Sequence, residues 1–356
     1  MNNQNLIKIE RTQKPKNRPT TDLGFGVYFS DHIFVSDYAR KKGWFSADII
    51  PYDKFQLDPS ASALHYGQAL FEGMKAFRQP NGNTVLFRPQ FNYARMKFGA
   101  DRLCMEMPSE EIFREGIKEL VKADMDWIPH HRGSSLYLRP TLIGTEAFLG
   151  VRPSDEYRFF VIASPVSSYY KEGIGPIKIW VEENYVRAAP GGLGATKAAA
   201  NYAGSLKAAY DAKQKGFAQV LWLDVNHQYI EEVGTMNVFF MINGEAHTPS
   251  LDGTILGGGV RDSVIQLLKD MGIKVHERKI KWTELDEAYK KGQLTEAFGT
   301  GTAAVISPIG ELTRGTNSFR LDQVASPFKN ARLLYDNLIA IQLGETADKH
   351  DWLVKI

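Results

Sequence analysis

Residues 187–201 read RAAPGGLGATKAAAN, the most unusual stretch of the 356-residue chain. Lys197 stands there among glycine, alanine and threonine, and its nearest charged neighbours in sequence are Arg187 and Lys207. Small neighbours let a bulky planar group approach the ammonium, and a lysine held away from water loses its proton more easily. A deprotonated lysine is a nucleophile toward carbonyl groups. Because most lysines are solvated surface groups, this pattern makes Lys197 a candidate functional residue.

The composition favours a globular protein that acts on small molecules. Apolar residues make up 43% of the chain and charged residues 24%, which is ordinary for a folded protein. A chain of 356 residues exceeds what one hydrophobic core usually organises, so we expect two domains. The net charge of +2 is too small for a general binder of nucleic acid or of a membrane surface.

The cysteine content and the hydropathy predict a cytoplasmic protein. Cys104 is the one cysteine, which excludes an intrachain disulfide and a cysteine-based metal cluster, and we expect it to be a small buried residue near a helix end. No run reaches the roughly 18 apolar residues of a membrane span. The basic N-terminal segment is followed by no apolar stretch of the kind found in secretory signals.

Predicted strands and helices alternate in both halves, which indicates an α/β or α+β fold in two lobes. Ser109 is positioned to cap a helix that runs to about Asp124. Asn243-Gly244 predicts a tight hairpin turn. Residues 169–176, YYKEGIGP, are the candidate linker. Further helices are predicted at 91–103, 205–215, 261–271 and 330–343, and strands at 84–87, 136–138, 157–163, 177–181, 220–223 and 238–242.

Several other segments could carry chemistry. Glu232, in EEVGTMN at 231–237, is either a surface charge or a carboxylate that faces a cofactor's ring nitrogen. LGGGVR at 256–261 and GTGTA at 299–303 are either simple turns or anion sites, and together they suggest a phosphate monoester. The aromatic residues in 64–77 form either core or a pocket. No Walker, dinucleotide, zinc-hydrolase or serine-hydrolase motif is present, so no metal site is expected.

Seven segments in this order resemble the branched-chain amino acid aminotransferases of the fold type IV pyridoxal-phosphate (PLP) class. They are HYGQALFEGMKAF (65–77), LYLRPTLIGTE (136–146), GATKAAANY (194–202), QVLWLD (219–224), EEVGTMNVFF (231–240), ILGGGVRDSV (255–264) and EAFGTGTAAVISP (296–308). The resemblance runs from about Phe25 to the C-terminus. It implies a smaller N-terminal α/β domain (1–168), a linker (169–181), a larger C-terminal pseudo-barrel domain (182–356) and a homodimer.

The resemblance also implies roles for individual residues. Lys197 matches the Schiff-base lysine, and Glu232 matches the acid that pairs with the pyridine nitrogen. The other matches to cofactor-binding residues are Arg95, Tyr202, Thr235, Gly259, Val260 and Thr302. Those to substrate-binding residues are Tyr66, Phe71, Tyr137, Arg139, Tyr169, Thr302 and Ala303. Arg139 matches a residue near the dicarboxylate co-substrate.

The implied activity is reversible, PLP-dependent amino transfer between L-leucine, L-isoleucine or L-valine and 2-oxoglutarate. Glutamate and branched 2-oxo acids are the products. Animal members carry a Cys-x-x-Cys pair whose positions are Ala304 and Ser307 here, so thiol regulation of that kind is not expected. The alternatives are a D-amino acid aminotransferase or an aminodeoxychorismate lyase on the same scaffold, and a non-enzymatic binder of phosphate ligands.

Overall fold

The computed structural model describes residues 7–167, 175–325 and 327–356. By its internal contacts the chain divides into two compact units. The first unit comprises residues 1–171, 196–199 and 339–356, and the second comprises 172–195 and 200–338. The four-residue segment around Lys197 therefore groups with the N-terminal half of the sequence.

Strands and helices alternate along both units. The strands are β1 (Lys8–Ile9), β2 (His32–Ala39), β3 (Gly43–Trp44), β4 (Asp48–Pro51), β5 (Ala69–Phe71), β6 (Met74–Arg78), β7 (Thr84–Phe87), β8 (Ser135–Gly144), β9 (Glu156–Val166), β10 (Ile177–Val181), β11 (Gln219–Leu223), β12 (Ile230–Val233), β13 (Asn237–Ile242), β14 (Glu245–Thr248), β15 (Val275–Glu277), β16 (Leu294–Gly301), β17 (Val305–Arg314), β18 (Asn317–Arg320) and β19 (Leu353–Lys355). The α-helices are α1 (Ser62–Tyr66), α2 (Pro89–Arg102), α3 (Glu110–Ala123), α4 (Ala199–Gly204), α5 (Leu206–Gln214), α6 (Gly259–Asp270), α7 (Trp282–Lys290) and α8 (Lys329–Gln342), with short 3₁₀ turns at Met125–Trp127 and Leu321–Gln323.

The first unit is built on one sheet with the order β1-β4-β2-β9-β8-β6-β7-β19, in which β3 also pairs with β2 and β5 with β8. All neighbours pair antiparallel except β1 and β4. Helix α3 covers the sheet, since Phe113 packs on Phe159 with ring centroids 5.6 Å apart. A Cβ at Gly116 would lie 2.5 Å from the Phe34 ring, so glycine permits this close packing.

The second unit is built on a sheet with the order β12-β11-β10-β17-β16-β13-β14-β15, to which β18 adds beside β17. Strand β10 is parallel to both β11 and β17, and β14 is parallel to β15. Phe239 and Phe298 stack in its core with centroids 5.3 Å apart. Asn243 and Gly244 both have positive φ (53° and 79°), as a two-residue hairpin turn requires.

The structure confirms most of the predicted local elements and corrects others. The mixed α/β fold, the Ser109 cap and the Asn243-Gly244 hairpin are present. Part of the predicted linker, 168–174, lies outside the described residues, while 177–181 is strand β10 of the second sheet. Residues 339–356, predicted to belong to the C-terminal domain, group with the first unit, because β19 pairs with β7. The expectation for Cys104 was wrong: it is exposed, because it follows the end of α2 at a positive φ of 52°.

No helix among the residues described here is both long and apolar enough to span a bilayer.

Glu231 is a buried carboxyl group in strand β12 of the second unit. The residue is 5% exposed, and its Oε2 has no hydrogen-bond partner among the described residues. Burial, with smaller contributions from Glu232 and Asp252, raises its pKa to about 7, although Thr254 and Arg187 act in the opposite direction. The fold therefore holds a carboxyl group that is neutral in a large fraction of molecules at pH 7.

We expect Ser109→Ala to weaken the start of helix α3. The Ser109 Oγ accepts from the Ile112 amide at 3.2 Å, and loss of such a cap costs about 1 kcal/mol. Amide hydrogen exchange at Ile112 should accelerate in this variant and stay near the wild-type rate in Ser109→Asp, which keeps an acceptor. Equal exchange in the two variants would contradict the capping role.

We expect Glu231→Gln to stabilise the protein increasingly as the pH rises. The folded-state pKa of about 7 lies above the ordinary 4.5, so between these values the folded protein holds a proton that the unfolded chain has released. Stability of the wild type therefore falls as the pH rises through this window, whereas glutamine does not titrate. The Tm of Glu231→Gln minus that of wild type, measured from pH 5 to 8, should increase, with the exposed Glu287→Gln as control. A pH-independent difference would refute a neutral buried Glu231.

Candidate active site

The segment that carries Lys197 is seated on strand β5. The Phe71 amide donates to the Lys197 carbonyl at 3.2 Å, and Leu70 forms a β-bridge with Ala198. The Lys197 Nζ lies 4.6 Å from the centroid of the Phe71 ring. The small residues that flank Lys197 in sequence thus allow the chain to lie against the strand, with the lysine directed over an aromatic face.

The surroundings of Lys197 favour its neutral amine. Desolvation of the ammonium, reinforced by the positive charge of Arg95, lowers its pKa to about 8, while Glu72 and Tyr137 act in the opposite direction. A lysine with this pKa has a much larger neutral fraction at pH 7 than an exposed one. The neutral amine can bond to a carbonyl or accept a proton.

Glu72 fixes the arginine beside Lys197. Arg95 donates from Nε and Nη2 to the two Glu72 oxygens, both at 2.7 Å, and Asn92 Nδ2 donates to the same carboxylate at 2.8 Å. Glu72 is fully buried, and although burial alone would raise its pKa, Arg95, Lys197 and Asn92 lower it below the ordinary value. This bidentate pair orients the guanidinium and balances its charge.

Sequence reasoning assigned no role to Glu72. It lies within the matched segment HYGQALFEGMKAF, and a single acid among buried neighbours was the available signal. Its partners Asn92 and Arg95 are three residues apart on α2 and so share one helix face. The contact between Glu72 and that face could not be read from local sequence.

Three residues predicted to bind substrate meet near Lys197 in the first unit. The Arg139 guanidinium lies over the Phe71 ring at 4.5 Å, and its Nη2 donates to the Tyr137 hydroxyl at 3.0 Å. The Arg139 Nε is buried without a hydrogen-bond partner among the described residues. A Cβ at Gly73 would lie 2.2 Å from the Tyr137 hydroxyl, so glycine is needed for this arrangement. Together they form an aromatic wall with a guanidinium that has a donor to spare.

The two other aromatic residues predicted for this pocket differ in status. Tyr66 is 45% exposed, and its hydroxyl donates to the Leu149 carbonyl. Tyr169 lies outside the described residues. Their roles therefore stay predictions.

Glu232 and Tyr202 line a cleft within the second unit. The cleft has about 250 Å³ of empty space, and its lining consists of Arg187, Asn201, Tyr202, Ser205, Glu232, Gly234, Thr235 and Leu256. The Leu256 amide donates to Glu232 Oε1 at 2.8 Å, and Arg187 Nε lies 3.1 Å from Oε2. A buried carboxylate, a phenol and hydroxyl groups therefore surround one space of a size that admits a substituted ring.

The two glycine-rich loops meet at Asn237. Its Nδ2 donates to the Leu256 carbonyl at 2.8 Å, its Oδ1 would lie 2.1 Å from a Cβ at Gly258, and it pairs with Thr300 across the sheet. Thr300 Oγ1 is buried and lacks a hydrogen-bond partner among the described residues. Helix α6 begins at Gly259, followed by Val260, and exposes first-turn amides there.

The remaining predicted residues lie close to this junction. Thr302 and Ala303 directly follow β16 and are partly exposed. Thr235 lines the cleft, and a Cβ at Gly301 would lie 4.0 Å from the Thr235 carbonyl oxygen. Amides at a helix start, a hydroxyl whose surroundings in the described chain offer it no partner, and a nearby threonine form an arrangement that suits an anion.

One group of metal-ligand side chains occurs elsewhere among the described residues of the second unit: Glu245, His247 and His276. The two imidazole rings stack at 4.6 Å with planes 13° apart, so their in-plane lone pairs do not converge on one point. Arg278 also contacts His247 Nδ1, at 3.2 Å from Nη2. This geometry gives a metal ion no position that both imidazoles could ligate.

Comparison with known proteins gives consistent results. The amino-transferase class IV family matches residues 69–312. The branched-chain-amino-acid aminotransferase 2 of Bacillus subtilis (strain 168) is 51% identical over 351 residues, which are 98% of this chain and 96% of that protein.

Solved structures resemble the whole fold. The Escherichia coli branched-chain amino acid aminotransferase has a TM-score of 0.75 at 26% identity, and the match covers 91% of this chain and 98% of that one. A thermophile's branched-chain amino acid aminotransferase was solved with pyridoxamine 5'-phosphate and with N-(5'-phosphopyridoxyl)-L-glutamate. Its two structures have TM-scores of 0.73 and 0.71 at 25% identity, and each match covers 90% of this chain and 97% of that one. The family match and the near-complete relative show that this chain belongs to the class IV aminotransferases.

Proposed function

We propose that the chain is a PLP-dependent branched-chain amino acid aminotransferase that moves an amino group between L-leucine, L-isoleucine or L-valine and 2-oxoglutarate. The observation that carries the residue assignment is the desolvated Lys197 amine beside Arg95 and Phe71. The family match and the close relative support the reaction class.

The residues present fit pyridoxal phosphate. We assign its aldehyde to Lys197, its ring nitrogen to Glu232 and its phenolic oxygen to Tyr202. The phosphate is assigned to Arg95, Thr235, Thr302 and the amides of Gly259 and Val260. The Thr300 hydroxyl, which has no partner within the described ranges, and the first turn of α6 support an anion at this point. When bound, the cofactor supplies an electron sink that stabilises negative charge at the substrate Cα.

The chain's own residues position the substrate and move its proton. Neutral Lys197 Nζ accepts the proton from the substrate Cα and later returns it, a transfer that a pKa of about 8 suits near neutral pH. The buried Glu232 carboxylate holds the proton on the ring nitrogen. Arg95, locked by Glu72, provides a fixed positive charge for an anionic group.

One pocket must accept both an aliphatic side chain and a carboxylate. The Phe71 and Tyr137 rings offer an apolar wall for leucine, isoleucine or valine. The Arg139 guanidinium, with a donor to spare, suits the distal carboxylate of glutamate. The thermophile's enzyme was solved with a glutamate adduct of the cofactor, which supports glutamate as a co-substrate.

We include a homodimer in the cytoplasm in this proposal. Exposed apolar side chains lie on two segments that the Tyr66–Leu149 hydrogen bond joins, and they comprise Leu64, Tyr66, Phe148, Leu149 and Val151. Such a patch is typical of a surface that a partner covers. The exposed Cys104 forms no disulfide within the chain, so no oxidising compartment is required.

We expect borohydride to fix the cofactor on Lys197. Peptide mapping of the reduced holoenzyme should find the phosphopyridoxyl group on the peptide that contains Lys197. Lys197→Ala should lose this label and at least about 10²–10⁴-fold of the transamination rate, the range for positioned proton transfer.

Lys75 provides the matched control for this experiment. It is also buried in the first unit, and burial lowers its pKa to about 8. Lys75→Met should keep both the label and the activity with L-leucine and 2-oxoglutarate. A label on any other lysine, or activity with D- but not L-donors, would overturn the proposal.

We expect Arg139→Met to separate the two substrate classes. Loss of a charge-assisted hydrogen bond costs about 1.5–3 kcal/mol, which corresponds to a roughly 10- to 160-fold lower kcat/KM for glutamate. The kcat/KM for leucine should fall much less, and Arg139→Lys should recover part of the glutamate activity. Equal losses for glutamate and leucine would argue against a selective role.

A further inference from the structure

Arg187 is a buried arginine for which neither the sequence nor the comparisons supply a role. Its side chain is 6% exposed, and Nε lies 3.1 Å from Glu232 Oε2. Its Nη1 donates to the Thr254 carbonyl at 2.8 Å, and Nη1 and Nη2 reach the Gly194 carbonyl at 3.3 and 3.2 Å. One guanidinium thus joins a carboxylate to two backbone segments of the second unit.

The two backbone segments matter because of where they lead. Gly194 stands three residues before Lys197, and Thr254 stands two residues before Leu256, whose amide donates to Glu232 Oε1. A Cβ at Gly194 would lie 2.2 Å from the Thr254 carbonyl oxygen, so only glycine allows the two segments to approach this closely. Arg187 fills the junction where both carbonyls point.

Arg187 also decides the charge of the Glu232 carboxylate. The Glu232 side chain is 2% exposed, and an isolated carboxylate at such a position would take up a proton to avoid the cost of a buried charge. The guanidinium and the Leu256 amide each occupy one oxygen of Glu232 and favour its ionised form. Each oxygen keeps a lone pair that can accept from a group in the cleft.

Glu231 does not compete for this arginine. Neighbouring residues in β12 face opposite sides of the strand. Accordingly, Glu232 lines the cleft with Arg187, while Glu231 lines a separate space of about 270 Å³ with Asp224, Asp252 and Lys279. The Glu231 Oε2 has no hydrogen-bond partner among the described residues, Arg187 included. Arg187 is therefore hydrogen-bonded to the carboxylate on the cleft side of the strand.

We propose that Arg187 is a positioning residue that holds Glu232 ionised and oriented so that the carboxylate can accept from the ring nitrogen of the cofactor. This inference rests on the role proposed above for Glu232. It assigns to Arg187 a contribution to cofactor binding that passes through Glu232 and does not require contact between Arg187 and the cofactor.

A double-mutant cycle tests this coupling. The probe is pyridoxamine 5'-phosphate, which has no aldehyde to bond with Lys197, titrated into cofactor-free protein. Arg187→Met should raise its dissociation constant about 10- to 100-fold, the range for a hydrogen bond to a charged group. In a Glu232→Gln background the same substitution should raise it less than about threefold, because no carboxylate is left to orient.

Two further variants serve as controls. Arg187→Lys keeps a positive charge and should recover part of the affinity. Arg314→Met removes a comparable pair of the second unit, in which Arg314 Nε donates to Glu183 Oε1 at 2.8 Å, and should leave the dissociation constant unchanged. Equal effects of Arg187→Met with and without the Glu232 carboxylate would show that Arg187 only supports the backbone, and would overturn the proposal.

A ligand-side measurement covers the case in which Arg187→Met does not fold. The 1-deaza analogue of pyridoxamine phosphate has CH in place of the ring nitrogen. Wild type should prefer the parent compound, and Arg187→Lys should reduce that preference. An unchanged preference in Arg187→Lys would contradict the positioning role, whereas no preference in wild type would contradict the proposed role of Glu232 itself.

Discussion

The chemistry of this protein depends on one constraint, the removal of the Lys197 ammonium from water beside a second positive charge. Desolvation and Arg95 both lower the pKa of Lys197, and together they outweigh Glu72 and Tyr137. Without Glu72, two cations would face each other in a poorly solvated recess, and the arginine would lose the carboxylate that orients it. The first unit thus combines a reactive amine with a rigid anion-binding group through a single buried carboxylate.

The second unit solves a related problem with opposite signs. There the group to be kept charged is the Glu232 carboxylate, and the buried cation beside it is Arg187. Glu231, next in sequence, has a raised pKa of about 7 and so adds little negative charge near neutral pH. In both units a buried ion pair is retained where a functional group needs a defined protonation state, and its orientation is fixed by bonds to both oxygens of the carboxylate.

Local sequence predicted the parts of the fold that local forces determine. The cap at Ser109, the hairpin turn at Asn243-Gly244 and the strand 157–163 depend on neighbours in sequence, and all are present. The pairing of β19 with β7 and the contact of Glu72 with α2 join residues far apart in sequence, so no periodicity indicates them. Cys104 was mispredicted because an apolar residue type was taken to imply burial, whereas the residue lies just past a helix end. Lys197 was predictable because its small neighbours already indicate a close approach, but the partners that adjust its pKa come from β5, α2 and β8.

The central claim is that Lys197 titrates far below an ordinary lysine, and NMR of cofactor-free protein labelled with ¹³C-lysine tests it directly. The Lys197 signal, identified by its loss in Lys197→Ala, should titrate with a pKa of about 8. A pKa near the ordinary 10.5 would mean that the amine is solvated as a surface lysine is, and would contradict the account.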